Sequence, residues 1–258
     1  MTHPTLHSLP ATRIENGRET QSAEILAEET PIALLYNGLA HAVMMATPAD
    51  LEDFALGFSL SEGIVEHSGE VRIVDRVQTA DGISIEMAIP QSRFEALEQR
   101  SRSLTGRTGC GLCGTATLAA AIRPVRRVTT TTHPDPAMLF AAFAQLQARQ
   151  PLNDATGAMH AAAVLAFDGE LLVREDVGRH NAIDKVIGAT IRAGHVPQAL
   201  LVTSRASYEV VHKAAQAGCG LVAAISAPTA LAVRIAEQAG IRLIGFARDP
   251  RMTVYTNL

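Results

Sequence analysis

The 258-residue chain contains no tryptophan and only three cysteines, and aromatic residues make up 4% of it. Cysteines at Cys110, Cys113 and Cys219 alone are too few for a disulfide-stapled secreted scaffold, a class that is dense in cysteine. The opening stretch, MTHPTLHSLPATRIENGRE, has no apolar core and no small-residue cleavage pattern, so no signal peptide is expected. Both features place the chain in a reducing cytoplasm, where a lasting disulfide is not expected. Long apolar runs are missing too. LVAAISAPTALAV is broken by serine and proline, which argues against a membrane-spanning helix. A large charge excess is also absent: a formal net charge of −4 gives nucleic acid or an anionic membrane no global attraction. No Walker A pattern occurs, and neither standard dinucleotide nor P-loop binding is indicated.

Hydrophobic patterning then divides the chain. Residues 1–15 are polar and aperiodic and read as disordered. From 16 to 128 the segments are short. ETPIALLYNG and LAHAVMMAT read as strands joined at Asn37-Gly38, and VRIVDRVQT and GISIEMAIP as a pair around Asp81-Gly82. Between the pairs lies a helix, with Thr47 as N-cap, Pro48 at its first position and Leu51, Phe54, Ala55 and Phe58 as its buried stripe. From 129 to 258 strands and helices alternate, with a strand pair at Asp168-Gly169 and a helix NAIDKVIGATIRAG carrying Ile183, Val186, Ile187 and Ile191 on one face. The expected fold class is α/β: a smaller α+β N-terminal domain followed by an α/β layered C-terminal domain with parallel strands covered on both faces.

The charge distribution is uneven. Arg93 to Arg127 holds seven arginines and two glutamates in an otherwise acidic protein. Inside this run, in a loop at about 102–114, sits the sequence TGCGLCG, with Cys110 and Cys113 two residues apart and glycine on both flanks and between them. A zinc site would need more ligands, and a distant His160 or His133 is the available supplement. A thioredoxin-type pair would follow a strand, and Gly106-Arg107-Thr108-Gly109 is not one. The zinc deaminase signature is also incomplete, since Ala162 stands where His160 would need its glutamate. An accessible thiolate near Arg107 has the character of a nucleophile able to carry sulfane sulfur. Cys219, between Gly218 and Gly220, reads as a small buried residue.

In open α/β sheets ligands bind at the carboxyl ends of the strands. Those ends here carry Ser204, Arg205, Ser207 and Tyr208, then Ser226, Pro228 and Thr229, then Arg248, Asp249 and Arg251. Two of these loops lead into helix N-termini, which favour phosphate. Capping explains part of the pattern, but three loops converging with arginines suit a nucleotide or a related phosphorylated ligand. The run VREDVGRHNAIDKVIG adds Glu175, Asp176, Arg179, His180, Asn181, Asp184 and Lys185. His180 and Asp184, four residues apart on one helix face, are expected to pair.

Five motifs, GRTGCGLCG, REDVGRHNAIDKVIG, TSRASYEVVHKAA, ISAPTALAV and GFARDPRMTVYTN, occur in an order that resembles the FdhD family, the formate dehydrogenase accessory sulfurtransferases. The resemblance implies a cytoplasmic homodimer whose C-terminal domain is similar to the cytidine deaminase fold. It implies that a cysteine desulfurase donates sulfur as a persulfide to Cys110, with Cys113 assisting. The acceptor would be the molybdenum bis(molybdopterin guanine dinucleotide) cofactor, destined for the formate dehydrogenase catalytic subunit. The guanine contact maps onto Phe246, Ala247, Arg248, Asp249, Pro250 and Arg251. Ser204, Arg205, Ser226 and His180 complete the expected cofactor-binding set, and GDP or GMP would mimic the natural ligand. No metal ligand, nucleic acid or membrane partner is expected.

Overall fold

The structure is a computed structural model and describes residues 4–104, 122–129 and 132–256. Strands β1 (Leu6–Glu15) and β2 (Arg18–Ala27) pair as an antiparallel ribbon. The expectation of disorder over 1–15 is thus corrected for most of that stretch. Asn16 and Gly17 both adopt left-handed backbone, at φ 52° and 76°, as a type I′ hairpin turn requires. That turn fixes the register and brings two polar strands together without a hydrophobic period.

A four-stranded sheet follows, in the order β4-β3-β6-β5. Its strands are β3 (Thr30–Tyr36), β4 (Leu39–Ala46), β5 (Arg72–Thr79) and β6 (Gly82–Ala88). The turn at Asn37-Gly38 is left-handed at both residues. Helices α1 (Leu51–Ser61) and α2 (Gln91–Leu104) complete this domain. Ile32, Leu34, Tyr36, Phe54, Ile83 and Ile85 form its core, and the expected stripe Leu51, Phe54, Ala55 and Phe58 is buried within it. The start of α1 differs from expectation. Its N-cap is Asp50, not Thr47. Thr47 cannot cap, because its hydroxyl accepts from the Val177 amide and its carbonyl accepts from Lys185.

The chain has joined the second domain by Val128, whose amide donates to the Ala239 carbonyl at 2.7 Å. Here a six-stranded sheet runs β12-β11-β10-β9-β7-β8, built from β7 (His160–Ala166), β8 (Leu171–Asp176), β9 (Pro197–Val202), β10 (Leu221–Ala224), β11 (Arg242–Arg248) and β12 (Arg251–Val254). Only β9, β10 and β11 are mutually parallel; β7 is antiparallel to β8 and β9, and β12 to β11. The expectation of parallel strands holds for the middle of the sheet, where helical crossovers connect neighbours. It fails at the edges, where the short turns at Asp168-Gly169 and Asp249-Pro250 allow only antiparallel return.

Helix α3 (Pro136–Ala148), followed by the short α4 (Pro151–Thr156), covers one face through Leu139, Ala142, Phe143 and Leu146. Helices α5 (Arg179–Arg192), α6 (Tyr208–Gln216) and α7 (Ala230–Ala239) cover the other. Every residue of α5 from Asn181 to Thr190 is buried, because α5 has the sheet on one side and α1 on the other. The α1–α5 contact is backbone to backbone. A Cβ on Gly57 would lie 1.7 Å from the Asp184 carbonyl oxygen, and one on Gly188 would lie 1.9 Å from that of Asp53. Among the described residues no helix is long and apolar enough to cross a membrane.

Candidate functional site

The carboxyl ends of β9, β10 and β11 lie side by side, and their loops are tied together. The Ile225 amide donates to Val202, Thr229 to Ala206, and Phe246 to Ser226. A bulge between Gly245 and Arg248 places Phe246 in left-handed backbone, at φ 52°, and presents its ring outward. Gly245 permits this arrangement, since a Cβ there would lie 2.7 Å from the Pro228 ring. Between the loops is a cavity of about 190 Å³ lined by Ile225, Ser226, Phe246, Arg248 and Arg251. That is smaller than the few hundred Å³ that enclose a typical small-molecule ligand. It can receive one end of a ligand, with the remainder lying along the sheet edge.

The structure therefore brings Ser226, Phe246, Arg248 and Arg251 together in one wall. Ser204 and Arg205 stand one strand away, at the end of β9. Asp249 and Pro250 form the exposed turn between β11 and β12. Ala247 is different: its side chain is buried in the core beneath α3 with Ile244, because the bulge between Gly245 and Arg248 interrupts the alternation along β11. Thr229 caps α7 by accepting from the Ala232 amide. Ser207 stands at the N-cap position of α6, yet its buried hydroxyl has no hydrogen-bond partner among the described residues.

The dense polar run after β8 has mostly another role. Asp176 and Lys185 are fully buried and 2.7 Å apart, and Asp176 also accepts from the amides of Thr47 and Gly178. Asn181 donates to Asp176 and to the Met45 carbonyl. Glu175 accepts from the Leu152 and Asn153 amides at the start of α4. Arg174 and Arg192 both hold Asp53 of α1. The expected His180–Asp184 pair does not form. Asp184 points at α1 and α6, bonding Lys213 and Ser61. His180 turns the other way, with Nε2 2.6 Å from the Glu209 carboxylate. Positions four apart lie on one side of a helix, but here each side chain finds its partner on a neighbouring element, Asp184 on α1 and α6 and His180 on α6.

Lys213 and Glu62 extend the Asp184 cluster to Arg123, whose guanidinium is 2.7 Å from Glu62. Burial opposes the charged form of Glu62, but Lys213 and Arg123 outweigh it and bring its pKa down to about 2. For Asp184 burial prevails and the pKa is raised, although Lys213 pulls the other way. The Arg123 amide also donates to the Tyr208 hydroxyl at 2.8 Å. Sequence reasoning missed this tie: its partners are 85 positions apart, and no local pattern signals it. It anchors the chain leaving the cysteine segment at the N-terminus of α6, beside the carboxyl end of β9. Cys110 and Cys113 themselves lie outside the described residues. Cys219 is buried, and burial raises its pKa to about 12, which removes it as a nucleophile.

Comparison with known proteins places these features in a wider group. A sequence profile of the FdhD/NarQ family matches residues 27–258. A relative from Cupriavidus necator named sulfur carrier protein FdhD is 53% identical over 260 residues, covering 98% of this chain and 89% of the relative. One of the same name from Xanthomonas euvesicatoria is 51% identical over 248 residues, covering 95% of this chain and 88% of its own. A crystal structure from Desulfotalea psychrophila, described provisionally as a formate dehydrogenase accessory protein, superposes with a TM-score of 0.73. It is 24% identical and both chains are 98% covered, so it bears on the fold.

Proposed function

The chain belongs to the FdhD/NarQ family, and from that premise we propose that it is a sulfurtransferase that carries sulfur for formate dehydrogenase. A cysteine desulfurase supplies the sulfur. The thiolate of Cys110 attacks the outer sulfur of the donor's persulfide, a new S–S bond forms, the donor's S–S bond breaks, and its thiolate leaves. The exchange is redox-neutral. Cys113 assists or relays. The acceptor is the molybdenum bis(molybdopterin guanine dinucleotide) cofactor, a substrate here and not a resident group, and delivery to it precedes its insertion into the formate dehydrogenase catalytic subunit. The resemblance to the family implies a homodimer, and this chain is assigned the same state.

The observation that carries this reading is the place where the cysteine segment rejoins the fold. Arg123, ten positions after Cys113, is fastened to Tyr208 beside the Ser204-Arg205 loop. Ten residues of chain reach at most about 35 Å, which keeps the thiols within range of the sheet edge. At that edge Phe246 offers an exposed ring for a base, while Arg248 and Arg251 offer charge for phosphates. Charge-assisted hydrogen bonds from guanidinium to phosphate are strong and directional.

Two measurements test it. Incubation with a cysteine desulfurase and cysteine should add the mass of one sulfur to the peptide holding Cys110 and Cys113. Cys110→Ala should abolish sulfur delivery, and a variant lacking both thiols that still supported an active formate dehydrogenase would refute the mechanism. For the cavity, GDP serves as probe: Arg248→Ala or Arg251→Ala should each weaken binding by about 1.5–3 kcal/mol, the worth of one hydrogen bond to a charged group. Unchanged calorimetric affinity in both would remove the cavity from the site.

A further inference from the structure

Asparagine is followed by glycine at two places in the chain, Asn16-Gly17 and Asn37-Gly38. Such a pair is open to attack by its own backbone, because glycine has no side chain to shield its nitrogen and bends freely. Both pairs form the tips of two-residue hairpins, and both asparagines hold left-handed backbone, at φ 52° and 48°. Local sequence and conformation give the two no reason to differ. Their surroundings do. The Asn37 amide group is held at both ends: Nδ2 donates to the Ile89 carbonyl at 3.0 Å, and Oδ1 accepts from the Ile89 amide at 2.9 Å. Its backbone amide donates to the Met87 carbonyl. The strands it joins belong to the four-stranded sheet and bury Ile32, Leu34 and Tyr36 in the core. Among the described residues no hydrogen bond holds the Asn16 side chain; the nearest, from Thr20 to the Arg13 carbonyl and from Arg13 to Glu24, belong to the strands. Every residue from Thr12 to Gln21 is exposed, and a Cβ on Gly17 would meet nothing within 4 Å. The β1–β2 ribbon pairs with neither larger sheet. A two-stranded hairpin is marginally stable in water, so its tip opens far more readily than a turn set in a core sheet.

We propose that Asn16 is a site of self-modification, converted to aspartate and isoaspartate by its own chain, while Asn37 persists. The only co-reactants are hydroxide and water. Hydroxide removes the Gly17 backbone proton, and the nitrogen attacks the Asn16 side-chain carbonyl carbon. A new C–N bond closes a succinimide ring, the bond to the amide nitrogen breaks, and that nitrogen takes a proton from water and leaves as ammonia. Water then adds to one of the two ring carbonyls and opens the ring, giving aspartate or isoaspartate; nothing is oxidised or reduced. Isoaspartate adds one carbon to the main chain, which the two-residue turn cannot absorb. Either product adds a negative charge between Glu15 and Glu19, where like charges across the ribbon repel. Modification therefore loosens the ribbon that carries it. The inference is independent of the proposed sulfur transfer.

The test is incubation of the folded full chain in warm, mildly alkaline buffer, with peptide mapping by mass spectrometry at intervals. The peptide holding Asn16 should convert at least about tenfold faster than the one holding Asn37, the ratio that a modest difference in opening free energy gives. Its rate should rise with pH, since the attacking nitrogen must first lose its proton. Isoaspartate is identified by its acceptance of a methyl group from an isoaspartyl methyltransferase. In denaturant, where neither turn is held, the two peptides should convert at similar rates. Equal rates in the folded chain, or faster conversion at Asn37, would overturn the proposal. So would an Asn16 that survives in the folded chain for as long as Asn37 and reacts only in denaturant, because the ribbon tip would then be as closed as the core turn. Asn16→Gln supplies the second reading, since its longer side chain forms the ring far less readily. The acidic isoform that accumulates in the wild type should be lost in this variant while conversion at Asn37 is unchanged, and an isoform that accumulates equally in both would assign the reaction elsewhere.

Discussion

Lys213→Ala should destabilise the protein by about 3–5 kcal/mol, the cost of stripping one partner from a buried ionic cluster. Lys213 is almost fully enclosed and bonds Asp184 at 2.9 and 3.0 Å, Glu62 at 2.8 Å and the Ser61 hydroxyl at 2.9 Å. Its ammonium also lies 5.6 Å from the centre of the Phe58 ring. Burial disfavours the charged form of Lys213, but Asp184 and Glu62 prevail and raise its pKa. Alanine would leave two carboxylates facing each other with only Arg123 and Ser61 to satisfy them. Chemical denaturation at neutral pH measures the loss. Combining the change as Lys213→Met with Asp184→Asn and Glu62→Gln should restore most of it, since the penalty comes from unpaired charge and not from missing contact area.

The same cluster predicts a pH dependence. The Glu62 pKa falls from 4.5 to about 2 on folding, so its contribution is complete above pH 4.5 and is lost as pH drops towards 2. Asp184 acts in the opposite sense. Its raised pKa means the folded state takes up a proton more readily than the unfolded chain, which favours folding as pH falls. Removing Lys213 raises both carboxyl pKa values. The stability gap between wild type and Lys213→Ala should therefore be widest near neutrality and narrow as pH falls through the raised carboxyl pKa values of the variant and on towards 2. A gap that widened in acid would contradict the assignment of charge in the cluster.

The second large effect concerns the glycines where the domains touch. Gly57→Val or Gly188→Val places carbon within 2 Å of a backbone carbonyl on the opposing helix, and a carbonyl cannot rotate away as a side chain can. The helices must separate, at a cost of about 3 kcal/mol or more, the upper range for overpacking. Separation also strains the Asp176–Lys185 and Asp184–Lys213 groups, which bridge the same interface. Calorimetric unfolding should change from one transition to two as the domains lose their coupling. A single transition at the wild-type temperature would mean that α1 and α5 are not in contact in solution.

These effects mark where the sequence is legible and where it is not. The hairpin at Asn37-Gly38 could be read directly because left-handed turn geometry is a local demand that few residues meet. Asn16-Gly17 carries the same turn chemistry, but its flanking strands are polar and aperiodic, so no hydrophobic period marks the ribbon. The buried stripes of α1 and α5 followed from helical period. The polar run from Glu175 to Lys185 stands out in the sequence, but its meaning does not. Such residues look alike whether they meet a ligand or another helix, and only their partners distinguish the two.

The order of the elements, the turns, the apolar stripes, the cysteine spacing and the motifs shared with the FdhD/NarQ family were all present in the linear chain, since each depends on residues within a few positions of one another. Tertiary structure decided the rest. It turned Asp184 towards α1, set Asp176 and Lys185 against Thr47 just before that helix, and joined Arg123 to Tyr208. Those relations depend on how strands are ordered and which faces are covered, and they connect positions tens of residues or more than a hundred apart. No local preference encodes such a pairing; it exists only once burial has fixed which groups must satisfy each other.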